Sequence, residues 1–399
     1  METSGYKMVD VFRGKPCIDK TQASMNNNFK ITTLTPVHVG TGIDFQGNVE
    51  YLWFSNERQA VVLDDEKALD IIGEENIGHW VSCIEKGEPL LALLQQRRAG
   101  LRPEMVARRI LRHGAGAIEA HKVLREQLHS ANGSPLLPGS SLKGALRTAV
   151  WAEQIFQQPE LVKEPANLGE SRMDRRSGKE RFDFKDNVLA QKIFGKDPNH
   201  DVFRLWQIGD AMFQQPTAIY RTEVVNFYRG EYDIKKEITQ QIEAIPAGAE
   251  TQTRWSYNDL LEKRAGKSTL FNRTAEALRS EQLFPALNKH SKRLLENEIK
   301  FWKEDAHSPI VVGTYIDDLE RMLAEVNACD AQSFVLRLGW GTGFRTMTGD
   351  WHINMTDDDY YDLVAALRPT HDETIQYPKT TRMIAGGEPL GFIKLTLQV

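Results

Sequence analysis

Hydrophobic and β-branched positions fall in short bursts along this chain, and the bursts change period several times. Phe29–Gly42 (FKITTLTPVHVGTG) is an extended β-branched run that enters Gly40 and Gly42. VEYLWF (Val49–Phe54) and AVVLD (Ala60–Asp64) follow across SNERQ, which predicts strand, long turn and strand. From about 65 to 112 the pattern is helical, broken at Gly73, Gly87 and Gly100, with Pro103 in a first-turn position. This stretch is expected to be a helical insertion. Residues 117–130 fit either a strand or a helix, because Ile118, Val123, Leu124 and Leu128 also satisfy a helical period.

After the turn signals Asn132-Gly133 and Pro138-Gly139, apolar Leu142, Ala145, Leu146, Ala149 and Val150 recur at helical spacing. That predicts a helix packed on one face, with Ser140 and Ser141 near its start. Residues 159–200 are polar and predict a long loop. Strands are expected over Val202–Ala211, Ile219–Tyr228 and the segment ending in QTRWSY, and helices over roughly 258–299 and 315–327. Phe334–Phe344 predicts a strand running into a glycine-rich loop, and the terminal LGFIKLTLQV alternates as a half-buried strand. Residues 1–28 are polar and predict a loose arm. The expectation is an α+β protein with two sheet-bearing halves that join near residue 215.

Composition narrows the function classes. The 399 residues are 41% apolar and 26% charged, which suits a globular chain of more than one small unit. No run approaches the ~18 apolar residues of a membrane span, and no apolar leader opens the chain, so a cytoplasmic protein without a membrane partner is expected. Cys17, Cys83 and Cys329 are too scattered for a disulfide framework or a zinc knuckle. A net charge of −5 argues against a free-standing duplex-DNA binder. Locally the chain is basic, with six arginines between Arg97 and Arg112 and another cluster between Arg172 and Arg181.

Candidate chemistry concentrates in three places. Gly139, Ser140, Ser141, Lys143 and Arg147 combine a glycine, two hydroxyls, a helix N-terminus and two cations four residues apart, the parts of a phosphate site. An ordinary capped helix uses the same residues. The segment lacks the G-x-x-x-x-G-K-[ST] spacing of nucleotide hydrolysis. Gly339-Trp340-Gly341-Thr342-Gly343-Phe344 does not fit a dinucleotide loop, but beside Arg337 and Arg345 it suits a flexible polyanion. A tight hairpin turn remains the alternative. His38, between a strand and Gly40, is either a general acid–base group or a packed strand-end histidine. No spacing suggests a metal site, and Asp357–Asp359 reads as a helix N-terminal cap. No cofactor is expected.

Four segments carry a resemblance: LTPVHVGTG (Leu34–Gly42), PLLPGSSLKGALRTAV (Pro135–Val150), LRLGWGTGF (Leu336–Phe344) and PLGFIKL (Pro389–Leu395). Together they resemble the RAMP superfamily of CRISPR-associated proteins, and within it the Csm-type capping subunit of type III-A effector complexes. The resemblance implies two ferredoxin-like (RRM-like) domains, about 29–215 and 216–399, with the helical insertion in the first. It also implies a strand within 117–128. By the same resemblance the chain binds crRNA near its 3′ end, caps the backbone filament, supports crRNA maturation and is not an enzyme. Expected partners are crRNA, the backbone RAMP subunit, the small helical subunit and, indirectly, target RNA. RNA contact is carried over to Gly139, Ser140, Ser141, Lys143 and Arg147, and to Gly341, Gly343, Arg345 and His38 around the second loop. The alternatives are a RAMP endoribonuclease that processes precursor crRNA through His38 or another histidine, and a RAMP subunit of another type III subtype.

Overall fold

The computed structural model describes residues 26–163, 169–173, 178, 180–184, 187–228, 231–259, 261–262, 278–305, 312–343, 346 and 380–398. Its first strand, β1 (Asn26–Thr33), turns Phe29 and Ile31 to the same face, and both are fully buried. β1 pairs antiparallel with β15 (Glu250–Tyr257) on one side and with β18 (Phe392–Gln398) on the other. β10 (Trp206–Ile208) flanks β15 and β16 (Ser333–Arg337) flanks β18, so the sheet runs β10-β15-β1-β18-β16.

Two helices cover one face of this sheet. α4 (Gly139–Gln157) buries Leu142, Leu146, Ala149 and Val150, the spacing of one helical face. α7 (Ser280–Lys300) adds Leu283, Phe284 and Leu287 to the same core. The centre is aromatic: the Phe29 ring lies 4.5 Å from Trp255 and 5.6 Å from Phe284, edge-on to the latter.

The second sheet runs β2 (Gly40–Phe45), β6 (Leu124–Gln127), β14 (Gln240–Ala244), β12 (Ala218–Tyr228), β5 (Ala107–Ala115), β4 (Gln59–Leu63) and β3 (Tyr51–Phe54). The far half of β12 also pairs with β13 (Glu231–Ile234) and β17 (Thr380–Ile384). Alternation decides its faces. Tyr51 and Val62 join one core, while their neighbours Leu52 and Val61 join the other. That other face is roofed by α1 (Asp65–Ile72), α2 (Ile77–Lys86) and α3 (Leu90–Arg97).

The remaining elements are short ladders β7 (Leu136–Leu137) with β11 (Ala211–Met212) and β8 (Gly169–Met173) with β9 (Glu180–Phe184), plus α5 (Glu160–Lys163), α6 (Asn187–Phe194) and α8 (Gly313–Asn327).

The α+β class holds, and the ambiguous 117–130 segment contains strand β6. Four boundaries differ from expectation. The arm expected over 1–28 is shorter by Asn26–Asn28, whose backbones pair with β15 as part of β1; residues 1–25 lie outside the described residues. The helical insertion expected to about 112 gives way earlier: α3 ends at Arg97, a single helical turn follows at Pro103–Met105, and Ala107–Arg112 pair with β4 as part of β5. The polar 159–200 segment holds α5, the β8–β9 hairpin and α6, whose Leu189, Ile193 and Phe194 dock into the α4 core. Finally, both large sheets take strands from each side of residue 215.

Candidate nucleic-acid interface

Leu34–Gly42 is the crossing between the two sheets, and two other glycine-rich segments close on it. The Trp340 amide donates to the His38 carbonyl at 2.8 Å, the Gly391 amide to the Pro36 carbonyl at 2.9 Å, and the Leu338 amide to the Gly391 carbonyl at 2.9 Å. Thr35 Oγ1 accepts from the Phe392 amide at 2.9 Å. Glycine is required at the crowded points. A Cβ on Gly339, at φ +90°, would lie 2.6 Å from the His38 carbonyl oxygen.

His38 lies beneath this knot and is only 2% exposed. Its Nδ1 stands 2.6 Å from the Glu243 carbonyl, an acceptor, so Nδ1 carries the ring proton. Burial, with a smaller push from Arg125, lowers its pKa to about 4 against the opposing backbone bond. The imidazole is therefore neutral at physiological pH. The fully buried Glu243 carboxylate accepts from Arg109 (2.8 Å) and Thr217 (2.6 Å), which ties β5, β14 and the entry to β12 together. Arg109, one of the clustered arginines, is thus a half-buried cation in a structural ion pair.

At the start of α4 the cationic residues have partners within the chain. The Gly139 amide donates to Asp210 Oδ1 at 2.8 Å, so a carboxylate occupies this N-terminal donor. Gly139 is also sterically required, since a Cβ there would meet the Ile208 carbonyl oxygen at 2.1 Å. Lys143 Nζ donates to the Trp206 carbonyl at 2.9 Å, and burial lowers its pKa. Arg147 pairs with Asp201 at 2.7 Å and lies over the Phe194 ring at 3.9 Å. The two serines part company. Ser140 and Lys143 line an open cleft of about 580 Å³ with Arg204 and Asn258. Ser141, Gly144 and Thr148 line a separate one of about 210 Å³, shared with Leu338, Gly339 and Thr342 of the other loop. The second cleft is where the two glycine motifs meet.

In the loop after β16, Gly339, Gly341 and Gly343 all adopt positive φ, and Trp340 stands half-buried between the first two. Arg345 and Asp357–Asp359 lie outside the described residues. Arg337 is not available to a polyanion: it is buried, paired with Glu298 at 3.0 Å and bonded to the Leu390 carbonyl at 3.0 Å. In its place the fold brings Arg125 of β6 to 5.0 Å and Arg382 of β17 to 4.6 Å from the Trp340 ring centroid. Sequence patterning missed both arginines, because each is a single cation in a short strand and only the sheet pairing brings them together. Among the described residues no helix is long and apolar enough to cross a membrane.

Comparison with known proteins agrees with this architecture. The profile of the RAMP superfamily matches residues 30–345. The "CRISPR system Cms protein Csm5" of Methanocaldococcus jannaschii is 26% identical over 345 residues, covering 82% of this chain and 73% of that protein. A chain in the cryo-EM structure of a type III-A Csm–crRNA–target RNA ternary complex superposes with a TM-score of 0.68 at 20% identity, over 94% of this chain and all of that one. The crystal structure of T. onnurineus Csm5 gives 0.60 at 18% identity, over 91% and 99%.

Proposed function

The chain belongs to the RAMP superfamily, and from that premise we propose that it is a crRNA-binding subunit of a type III-A CRISPR effector complex. In this reading it caps the backbone filament near the crRNA 3′ end and supports crRNA maturation in antiviral defence. The observation that carries the reading is the end-to-end likeness to one chain of a Csm–crRNA–target RNA complex.

Further features support its parts. Four strands of the five-stranded sheet have the antiparallel order β10-β15-β1-β18, with α4 between β1 and β10 and α7 between β15 and β18 in the chain. We read it as one of the two ferredoxin-like units, assembled from both ends of the chain. The cleft beside Ser140, Lys143 and Arg204 and the Gly339–Gly343 loop are its RNA-facing surfaces. On α2, Ile77, Val81 and Ile84 are 43%, 46% and 42% exposed at one-face spacing. Such an apolar strip suits a neighbouring protein subunit, here the backbone RAMP or the small helical subunit, better than RNA.

The subunit is non-catalytic in this reading, which the burial of His38 and the bond of its Nδ1 to the Glu243 carbonyl support. The test is to purify the tagged chain from its host, sequence the RNA that accompanies it, and incubate the protein with precursor crRNA. CRISPR-derived guides and an intact precursor are expected. Recovery of unrelated RNA would contradict the reading, and cleavage abolished by His38→Ala would replace it with an endoribonuclease.

A further inference from the structure

Among the described residues, the half-buried and buried arginines follow a rule. Arg109 pairs with Glu243, Arg147 with Asp201, Arg221 with Glu119, Arg293 with Glu153 and Arg337 with Glu298. A guanidinium withdrawn from water needs a nearby negative charge to offset its lost solvation. Arg125 and Arg382, both half-buried, break the rule. Neither has a carboxylate partner among the described residues, although they share one indole ring. Among the described residues, Arg382 donates to Thr222 Oγ1 at 2.9 Å.

The nearby acids are accounted for. Glu126, next to Arg125 in sequence, is engaged by Arg109 and by Thr41. Asp44 faces Arg125 in the β2–β6 register but is exposed and makes no ion pair with it. His38, edge-on to Trp340 at 5.7 Å, is neutral and supplies no charge of either sign. Burial, together with repulsion from Arg125, lowers the Arg382 pKa to about 10, so this guanidinium stays charged at neutral pH. The result, among the described residues, is a doubly positive site built on the face of Trp340 and without an ion pair.

The surrounding backbone admits a ligand. Trp340 is flanked by Gly339 and Gly341, at φ +90° and +80°. A Cβ on Gly341 would stand 3.2 Å from Arg382 Cδ and 3.0 Å from Leu390 Cδ1, so this glycine lets the Arg382 stem lie along the loop. Planar guanidiniums held on an aromatic face present fixed N–H forks, which match phosphate oxygens better than a flexible ammonium does.

We propose that Arg125, Trp340 and Arg382 form a clamp for the backbone phosphate of single-stranded RNA, a site that rests on the RNA-binding reading above. The phosphate provides the negative charge that every other withdrawn arginine pair already has. Trp340 carries both guanidiniums over its ring, at 5.0 and 4.6 Å from its centroid.

The test uses the full-length chain and a short fluorescein-labelled oligouridylate, with binding followed by anisotropy over a range of salt. The double variant R125Q/R382Q is expected to lose about tenfold or more in affinity, and its log–log salt slope should shrink by about 0.7 for each phosphate no longer neutralised. R125K/R382K retains the charges without the planar forks, so it should keep most of the slope while binding more weakly. Lys292→Gln, on the exposed face of α7, should leave both unchanged. Thermal unfolding of each variant separates lost binding from lost fold. If R125Q/R382Q fails to fold, the lysine variant alone decides the matter: wild-type affinity in it would overturn the clamp. Folded glutamine variants with wild-type affinity and slope would overturn it too, as would a wild-type chain that leaves the oligouridylate unbound. The subunit reading is judged separately, by the guide RNA recovered with the tagged chain.

Discussion

The His38 carbonyl accepts the Trp340 amide at 2.8 Å, although the two residues come from opposite ends of the chain. That bond fixes the glycine-rich loop on the crossing between the two sheets. The imidazole of the same residue is buried and bonded to the Glu243 carbonyl of β14, so His38 couples loop position to the core.

This coupling makes stability depend on pH. The His38 pKa is about 4 in the folded protein against 6.5 in an unfolded chain, so the unfolded chain takes up the proton first as pH falls. Stability is full above about pH 6.5 and declines as pH falls toward 4, by about 3 kcal/mol for this group. His290, lowered to about 3 mainly by burial, adds to the decline in the same direction. Urea unfolding of the wild type and of His38→Gln at a series of pH values checks this. The variant should lose part of the slope over that window.

Gly391→Ala should destabilise the protein by about 2–4 kcal/mol. The position has φ +89°, and a Cβ would lie 2.2 Å from the Leu338 carbonyl oxygen. Because Gly391 bonds to both Pro36 and Leu338, thermal unfolding of this variant reads the junction of three segments. Gly133→Ala, at φ +82° with nothing near its Cβ, is the comparison for conformational strain alone.

The buried Arg337–Glu298 pair, joined by Tyr315, predicts strong non-additivity. Arg337→Met alone leaves a buried carboxylate without its cation and should cost about 3–5 kcal/mol. Adding Glu298→Leu should recover a large part of that loss, as measured by urea unfolding of the double-mutant cycle.

Much of this fold is legible in the sequence. The four motif segments, the helical face of α4 and the alternating C-terminal strand are local patterns, and local patterns survive without knowledge of the fold. Pairing across the chain is not local. β1 and β18 each alternate plainly, yet nothing in either says that they are neighbours, and a division near residue 215 follows only if sequence halves stay apart. The cations of the α4 motif are equally legible as residue types. Their intramolecular partners are not, because Trp206 and Asp201 lie in a different segment, as does Asp210, which takes the Gly139 amide. The same limit hides Arg125 and Arg382.

The α4 cations therefore give a divided prediction. Arg147→Ala removes an ion pair and a ring contact, and should cost about 1–3 kcal/mol of stability in thermal unfolding. Lys143→Gln together with Arg204→Gln alters the open cleft with less disturbance. If that cleft holds RNA, the log–log salt slope of single-strand binding should fall by about 0.7 for each phosphate the variant releases. An unchanged slope would make the junction purely structural.

The proposed capping role, if it holds, leaves its mark on the 3′ end of the guide RNA itself. That mark is read by mapping the crRNA ends in effector complexes purified with and without this chain, with its copy number determined by native mass spectrometry. One copy per complex is expected, and heterogeneous or extended 3′ ends with an unchanged 5′ tag when the chain is missing. Several copies along the particle, or identical 3′ ends in its absence, would refute the capping role.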